Sequence, residues 1–342
     1  MTRRINLALQ GGGAHGAFTW GVLDRLLDCE DLEIAAITGT SAGALNGAAL
    51  KAGMAQGGRA GAKACLDQLW QRMGAVGDMR FAHWLAGFDA APLLTMLDWI
   101  APFSPAENLG QLLSPYSYGP FYANPLRPVV DGFNFAEVCA ETGPDLFICA
   151  TCVRTGKVRV FSGAEVTTEA VLASACLPNL FQAVEIHDPK SGRTEAYWDG
   201  GYTGNPALFP LFAPDLPADV VIVSINPLER DAIPRTPQQI QNRINEISFN
   251  SSLLRELRAI SFVQRLLADG SIEDGQMKRI LVHRIADDDL MRQLSVQTKL
   301  IPIPHILAKL KTAGQAAADG FLAHESAAIG ERSTVDLAAM FG

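Results

Sequence analysis

The sequence predicts an α/β fold with parallel strands, and three observations point to it. Residues 5–9 form a short apolar run that enters a glycine loop and then a helix. Residues 32–38 do the same, entering Gly39-Thr40-Ser41-Ala42-Gly43 before a helix of small residues at 42–54. A stronger apolar run at 220–225 reads as another buried strand. Strand–turn–helix units in series build a parallel sheet covered by helices.

The bulk composition bounds the possibilities. The chain has 342 residues, 48% of them hydrophobic and 19% charged, which is a globular balance with length for a large core. A net charge of −8 excludes a basic nucleic-acid-binding face and any general pull towards anionic lipid. The apolar stretch at 5–9 is too short for a signal peptide, and no run of apolar residues is long enough to span a membrane. The six cysteines are scattered through apolar segments and read as reduced core residues. The expected location is cytoplasmic.

Gly39-Thr40-Ser41-Ala42-Gly43 has the context of a nucleophile elbow. A strand turning sharply into a helix has no room for bulky flanks, so glycines stand two residues either side of the serine. The hydroxyl is left at the tip, beside the positive end of the following helix. The plain alternative is a tight glycine turn with an idle serine.

Gly11, Gly13 and Gly16 match a dinucleotide-binding glycine pattern after the first strand. That use also needs an acidic residue closing the second strand, where this chain has Thr38 and then the serine elbow. Backbone N–H groups of consecutive glycines at a helix start can instead face a developing negative charge. Neighbouring parallel strands would set this loop beside Ser41, the arrangement acyl transfer requires.

A helix is expected at 57–75. From 78 to 128 prolines and aromatics crowd a segment poor in charge, with a short apolar helix at 92–100. Such an insertion suits a lid, an acyl-chain pocket or a peripheral membrane contact; a loop-rich patch packed on the core is the alternative. Residues 146–153 and 158–161 form a hairpin. Cys149 and Cys152 lie on its first strand, where residues three apart face opposite ways, against a redox or metal pair. A helix at 168–175 and a strand at 184–186 precede Tyr197-Trp198-Asp199-Gly200-Gly201, in which the glycines let the chain bend and turn the carboxylate into a cleft. Alone, this segment reads as an ordinary Asp-Gly turn. Beyond 234 the chain is mostly helical, at 240–267 and 306–322, around a strand at 279–285.

A serine hydroxyl needs a base. The histidines after Asp199 are His283, His305 and His324, and neither His283 in mid-strand nor His305 after Pro304 lies in a glycine-rich loop. A dyad in which Asp199 takes the proton directly is the simpler chemistry, since a carboxylate in a dry cleft is a stronger base, but composition and spacing alone do not select it over a histidine-dependent arrangement.

Together, the segments Gly11-Gly12-Gly13-Ala14-His15-Gly16, Gly39-Thr40-Ser41-Ala42-Gly43 and Asp199-Gly200-Gly201 resemble the three ordered motifs of the patatin-like phospholipase family. Ala173-Ser174-Ala175-Cys176-Leu177-Pro178 and Asn205-Pro206 resemble the segments flanking the third motif. The resemblance implies a three-layer α/β/α sandwich with a mostly parallel sheet, carrying a helical C-terminal extension. The catalytic domain would span 1–235 with the insertion at about 78–128, and 236–342 would pack on it. It also implies a Ser41–Asp199 dyad without a catalytic histidine, and Gly11, Gly12 and Gly13 as the oxyanion hole. Hydrolysis of lipid acyl esters through an acyl-enzyme follows, with no metal or organic cofactor. One position departs: many members carry Arg or Lys where this chain has His15. Simple esters and neutral acylglycerols therefore stand beside phospholipids as expected substrates. A catalytically idle lipid-binding protein on the same fold is the remaining alternative.

Overall fold

The computed structural model describes residues 2–85, 114–117, 122–139, 141–273, 275–294 and 296–341. Apolar residues alternate along its central strands and segregate to the two faces of one sheet. In β1 (Arg3–Leu9), Ile5, Leu7 and Leu9 enter one core and Ala8 the other. In β7 (Asp219–Val223), Val221 and Val223 join the first, and Val220 and Ile222 the second. A period of two with both faces covered gives near-continuous apolar strands.

The sheet contains β2 (Leu32–Thr40), β3 (Asp145–Cys152), β4 (Val158–Ser162), β5 (Val184–Asp188), β6 (Arg193–Asp199) and β8 (Leu281–Ile285) besides β1 and β7. Its order is β5-β6-β3-β2-β1-β7-β8, with β4 also on β3. From β3 through β2, β1 and β7 to β8 every pairing is parallel; β3–β4, β3–β6 and β5–β6 are antiparallel.

The register on β3 brings distant segments together. β4 occupies one edge over Phe147–Thr151, so β2 and β6 must share the other. β2 ends with Thr40 opposite Cys149, and β6 ends with Asp199 opposite Ala150. Consecutive β3 residues thus hold the ends of the two strands that lead into the serine and aspartate turns.

One helical layer comprises α1 (Gly16–Leu26), α2 (Ala42–Leu85) and α6 (Pro304–His324), whose Phe18, Leu66, Leu310 and Phe321 share a core. α2 contains a break at Gly57 and Gly58, so the separately expected helices at 42–54 and 57–75 form one kinked run. α3 (Thr168–Ser174), capped by the Thr167 side chain, packs against β3 on this side. The other face is covered by α4 (Pro237–Ala268), which contributes Leu253, Leu257 and Ile260. A capping box between Thr236 and Gln239 starts α4. A short helix, α5 (Val296–Leu300), lies against the glycine loop.

Two sequence expectations need comment. The helix expected to end at 75 continues to Leu85, into the start of the proline- and aromatic-rich segment. The rest of the 78–128 insertion, including the expected helix at 92–100, lies largely outside the described residues. Among the described residues no helix is long and apolar enough to cross a membrane.

The region after 235 is joined to the first helix by close backbone contact. A Cβ at Gly21 would stand 1.9 Å from the Lys311 carbonyl oxygen, and one at Gly314 would stand 2.0 Å from that of Phe18. Gly314→Ala is therefore expected to destabilise the whole protein by about 1–3 kcal/mol through overpacking. Urea unfolding should show this as a lower midpoint in a single transition. A midpoint equal to wild type would mean that α1 and α6 are not closely packed.

Candidate active site

Ser41 lies between the end of β2 and the start of α2, with φ of 55°, and it alone among the described non-glycine residues has a positive φ. Its flanking glycines are required by space. A Cβ on Gly39 would stand 2.6 Å from the Gly43 carbonyl oxygen, and one on Gly43 would stand 2.1 Å from that of Leu9. The Ser41 N–H donates to Ser174 Oγ at 2.9 Å, and that hydroxyl donates to the Cys149 carbonyl at 2.7 Å. Ser174, at the end of α3, is thus a buried strut beneath the turn. Ser41 itself retains 7% exposure.

Asp199 ends β6 and caps the single 3-10 turn at Gly200–Tyr202. Its Oδ1 accepts the Gly201 N–H at 2.7 Å; Oδ2 is buried and has no completed hydrogen bond among the described residues. The backbone is held on both sides, by Asp199 N–H to the Cys176 carbonyl and by Thr151 Oγ1 to the Asp199 carbonyl, each at 2.8 Å. Gly200 fits because a Cβ there would stand 2.2 Å from the Cys149 carbonyl oxygen.

The carboxyl is completely buried. Burial pushes its pKa up from 3.8 to about 7, against the Gly201 amide and the nearby Ser41 hydroxyl, which both favour the carboxylate. Its neighbours stay neutral: burial, then the charge of Asp199, raise the Cys176 thiol to about 12. Burial foremost also raises Tyr202 to about 12.

The glycine loop lies against the serine, since a Cβ on Gly11 would stand 2.7 Å from Ser41 Cβ. Its three amides are not equivalent. The Gly11 N–H donates to Asn205 Oδ1 at 2.7 Å, whereas those of Gly12 and Gly13 meet no protein acceptor among the described residues. Gly13, with φ of 59°, packs on the carbonyl of Lys299 in α5, where a Cβ would stand 2.1 Å from the oxygen.

His15 is buried, with Nε2 2.8 Å from Thr298 Oγ1. Burial, then the charge of Lys299, hold its pKa well below the usual value, so the ring is neutral at pH 7. Lys299 stands beside the loop; its Nζ donates to Asn226 Oδ1 at 3.1 Å and lies 3.7 Å from Glu246, and burial lowers its pKa.

The structure therefore brings together Ser41, Asp199 and the loop of Gly11, Gly12 and Gly13. It does not bring the later histidines to them. His283 is buried against Asp219 Oδ1 at 2.9 Å, while His305 and His324 are exposed on α6. Cys149 and Cys152 are free thiols on β3. Among the described residues no three His, Cys, Asp or Glu side chains converge as a metal site would require. Sequence reasoning did not single out Asn226 or Lys299, and no local pattern marks either.

The family model described as patatin-like phospholipase matches residues 7–212. Among solved structures, VipD from Legionella pneumophila is similar at 13% identity with a TM-score of 0.39; the match covers 93% of this chain and 66% of that one. The search of curated proteins gave no match.

The raised pKa has consequences of opposite sign for catalysis and stability. If Asp199 serves as a base it must be ionised, and kcat/KM on an ester would then rise with pH about a midpoint near 7. Glu256, half-buried and pushed up by that burial to about 7, caps the amides of Leu208 and Phe209; Glu256→Gln should leave that midpoint in place. For stability, the unfolded carboxyl loses its proton near 3.8 and the folded one near 7. The folded state holds the extra proton in between, so this group's contribution falls as pH rises through that window. Asp199→Asn should therefore gain stability over wild type at pH 8, with the difference shrinking by pH 4. Denaturant midpoints at the two pH values read this directly; an equal difference at both would remove the buried, pKa-raised carboxyl from the account.

Proposed function

Because the chain belongs to the patatin-like phospholipase family, whose members are in general lipid acyl hydrolases, we propose that it cleaves carboxylic-ester bonds of lipids through Ser41 and Asp199. The observation that supports this reading is the pairing of a strained, glycine-flanked serine with a fully buried aspartate whose Oδ2 has no other hydrogen bond. Such an aspartate can take a proton from the serine without an intervening imidazole.

Ser41 Oγ attacks the ester carbonyl carbon and its proton passes to Asp199 Oδ2. The carbonyl oxygen gains negative charge and receives hydrogen bonds from the open Gly12 and Gly13 amides. Gly11, expected as a third donor, is already engaged by Asn205, so its part in this reading is to support the loop. The tetrahedral intermediate collapses, the ester C–O bond breaks and Asp199 protonates the leaving alcohol. Water then attacks the acyl-enzyme and gives a proton to Asp199. Collapse releases the fatty acid and returns that proton to Ser41 Oγ. No step draws on a metal or an organic cofactor. Phospholipids and uncharged acyl esters both fall within this reading.

Release of acid and alcohol from p-nitrophenyl esters and mixed phospholipids tests it. Ser41→Ala should lose at least about 10³-fold in kcat, and Asp199→Asn about 10²–10⁴-fold. His305→Asn should keep wild-type turnover. Near-normal turnover in Asp199→Asn would remove the dyad. A wild type inert on every ester and unreactive with a fluorophosphonate would leave a lipid-binding protein on the same fold.

A further inference from the structure

A chain of buried side-chain amides connects the glycine loop to a helix beyond the matched family region. Asn226, just after β7, donates from Nδ2 to the Gly11 carbonyl at 2.7 Å. Asn205 grips the same residue from the other side: Oδ1 accepts the Gly11 N–H at 2.7 Å and Nδ2 reaches the Gly11 carbonyl at 3.4 Å. Gln10 ties these clamps together. Its Oε1 accepts from the backbone N–H of Ile225 and of Asn226 at 2.9 and 3.1 Å, and its Nε2 donates to the Asn205 carbonyl at 3.4 Å. Helix α4 anchors the assembly through Asn250, whose Oδ1 accepts from Gln10 Nε2 at 3.3 Å, and Ser252, whose Oγ accepts the Asn205 N–H at 3.1 Å. All five side-chain partners are buried.

The geometry of the peptide unit gives this network a direction. The Gly11 carbonyl and the Gly12 N–H belong to one planar trans peptide and point opposite ways. Gripping the carbonyl therefore aims the N–H, and a hydrogen bond at the oxygen end also polarises the N–H end. Glycine offers no side chain to hold such a plane, and a free glycine loop would sample many orientations. We propose that Asn226 and Asn205, braced through Gln10 by Asn250 and Ser252 of α4, are positioning residues that fix the Gly12 N–H as an oxyanion donor. The proposal rests on the Ser41–Asp199 reading and extends it to Asn226, Asn250 and Ser252, which lie beyond the matched region. It also explains why five polar side chains are buried together at the carboxyl ends of β1 and β7, where apolar packing would have served stability alone.

The experiment uses the full-length chain and an ester substrate, with three kinds of readout on each variant. Asn226→Leu keeps volume and removes the grip. It should lower kcat about 10²-fold, the scale of a lost oxyanion donor, with KM within about threefold. Affinity for a fatty-acyl trifluoromethyl ketone, which needs the oxyanion site once Ser41 adds to it, should fall in proportion to kcat/KM. Affinity for the corresponding fatty alcohol, which does not, should hold. Asn250→Ala touches neither Gly11 nor Ser41 and should reproduce the pattern at about tenfold, with Asn250→Gln restoring part of it. If Asn226→Leu does not fold, Asn250→Ala and Asn205→Asp decide.

Wild-type kcat in Asn226→Leu and Asn250→Ala, alongside a dead Ser41→Ala, would overturn the positioning role and leave the dyad standing. So would a loss of kcat with unchanged trifluoromethyl ketone affinity. Wild-type turnover in Ser41→Ala would instead overturn the parent reading, and this one with it.

Discussion

The carbonyl oxygen of Cys149 is the point on which both halves of the site rest. It accepts the Ser174 hydroxyl, which in turn holds the Ser41 N–H, and it leaves no room for a side chain on the residue after Asp199. A serine at φ of 55° costs on the order of 1–3 kcal/mol and persists only where its surroundings over-determine it. Here they do so through the Ser174 strut, the contact of Gly43 with the Leu9 carbonyl, and the parallel pairing that ends at Thr40. Moving the carbonyl of residue 149 would release Ser41 and Asp199 together. The β3 edge shared by β2 and β6 is thus the constraint that turns two remote motifs into one cleft.

Electrostatics follow from the same packing. The aspartate arrives in a place closed to bulk solvent and with neutral neighbours, so its charge is unfavourable and its proton affinity high. A partner histidine is not needed to tune it. His15, beside the loop, is held neutral by its own burial. The price is a carboxyl that weakens the fold at the pH where it would be most useful, as expected where function and stability compete.

Much of this was legible in the residues. A period of two in β1 and β7 marked buried strands, and the glycines around Ser41 marked a turn too tight for side chains. Asp199 was legible only through its resemblance to a family motif, because an Asp-Gly-Gly segment by itself signals a turn. What could not be read was pairing at a distance. Nothing local says that Asn226 and Lys299 lie against the glycine loop or that Asn250 reaches Gln10, since those contacts depend on where β7, α4 and α5 cross the sheet. Nor could the sequence tell that the Gly11 amide is already engaged, because that follows from the placement of Asn205.

The packing of α6 onto α1 bears on how the chain comes to be folded. Phe18 and Gly314 meet across nearly the whole length of the polypeptide, and β1 finds β7 only after more than two hundred residues have been made. Long-range closure of this kind is slow because loop entropy is lost before the contacts compensate for it. During synthesis, α1 leaves the ribosome with an apolar face whose cover, α6, is translated only after β1 to β8. The emerging chain must therefore carry exposed sheet edge and helix face for most of its elongation, and its yield in the cell depends on what shields them until α6 arrives.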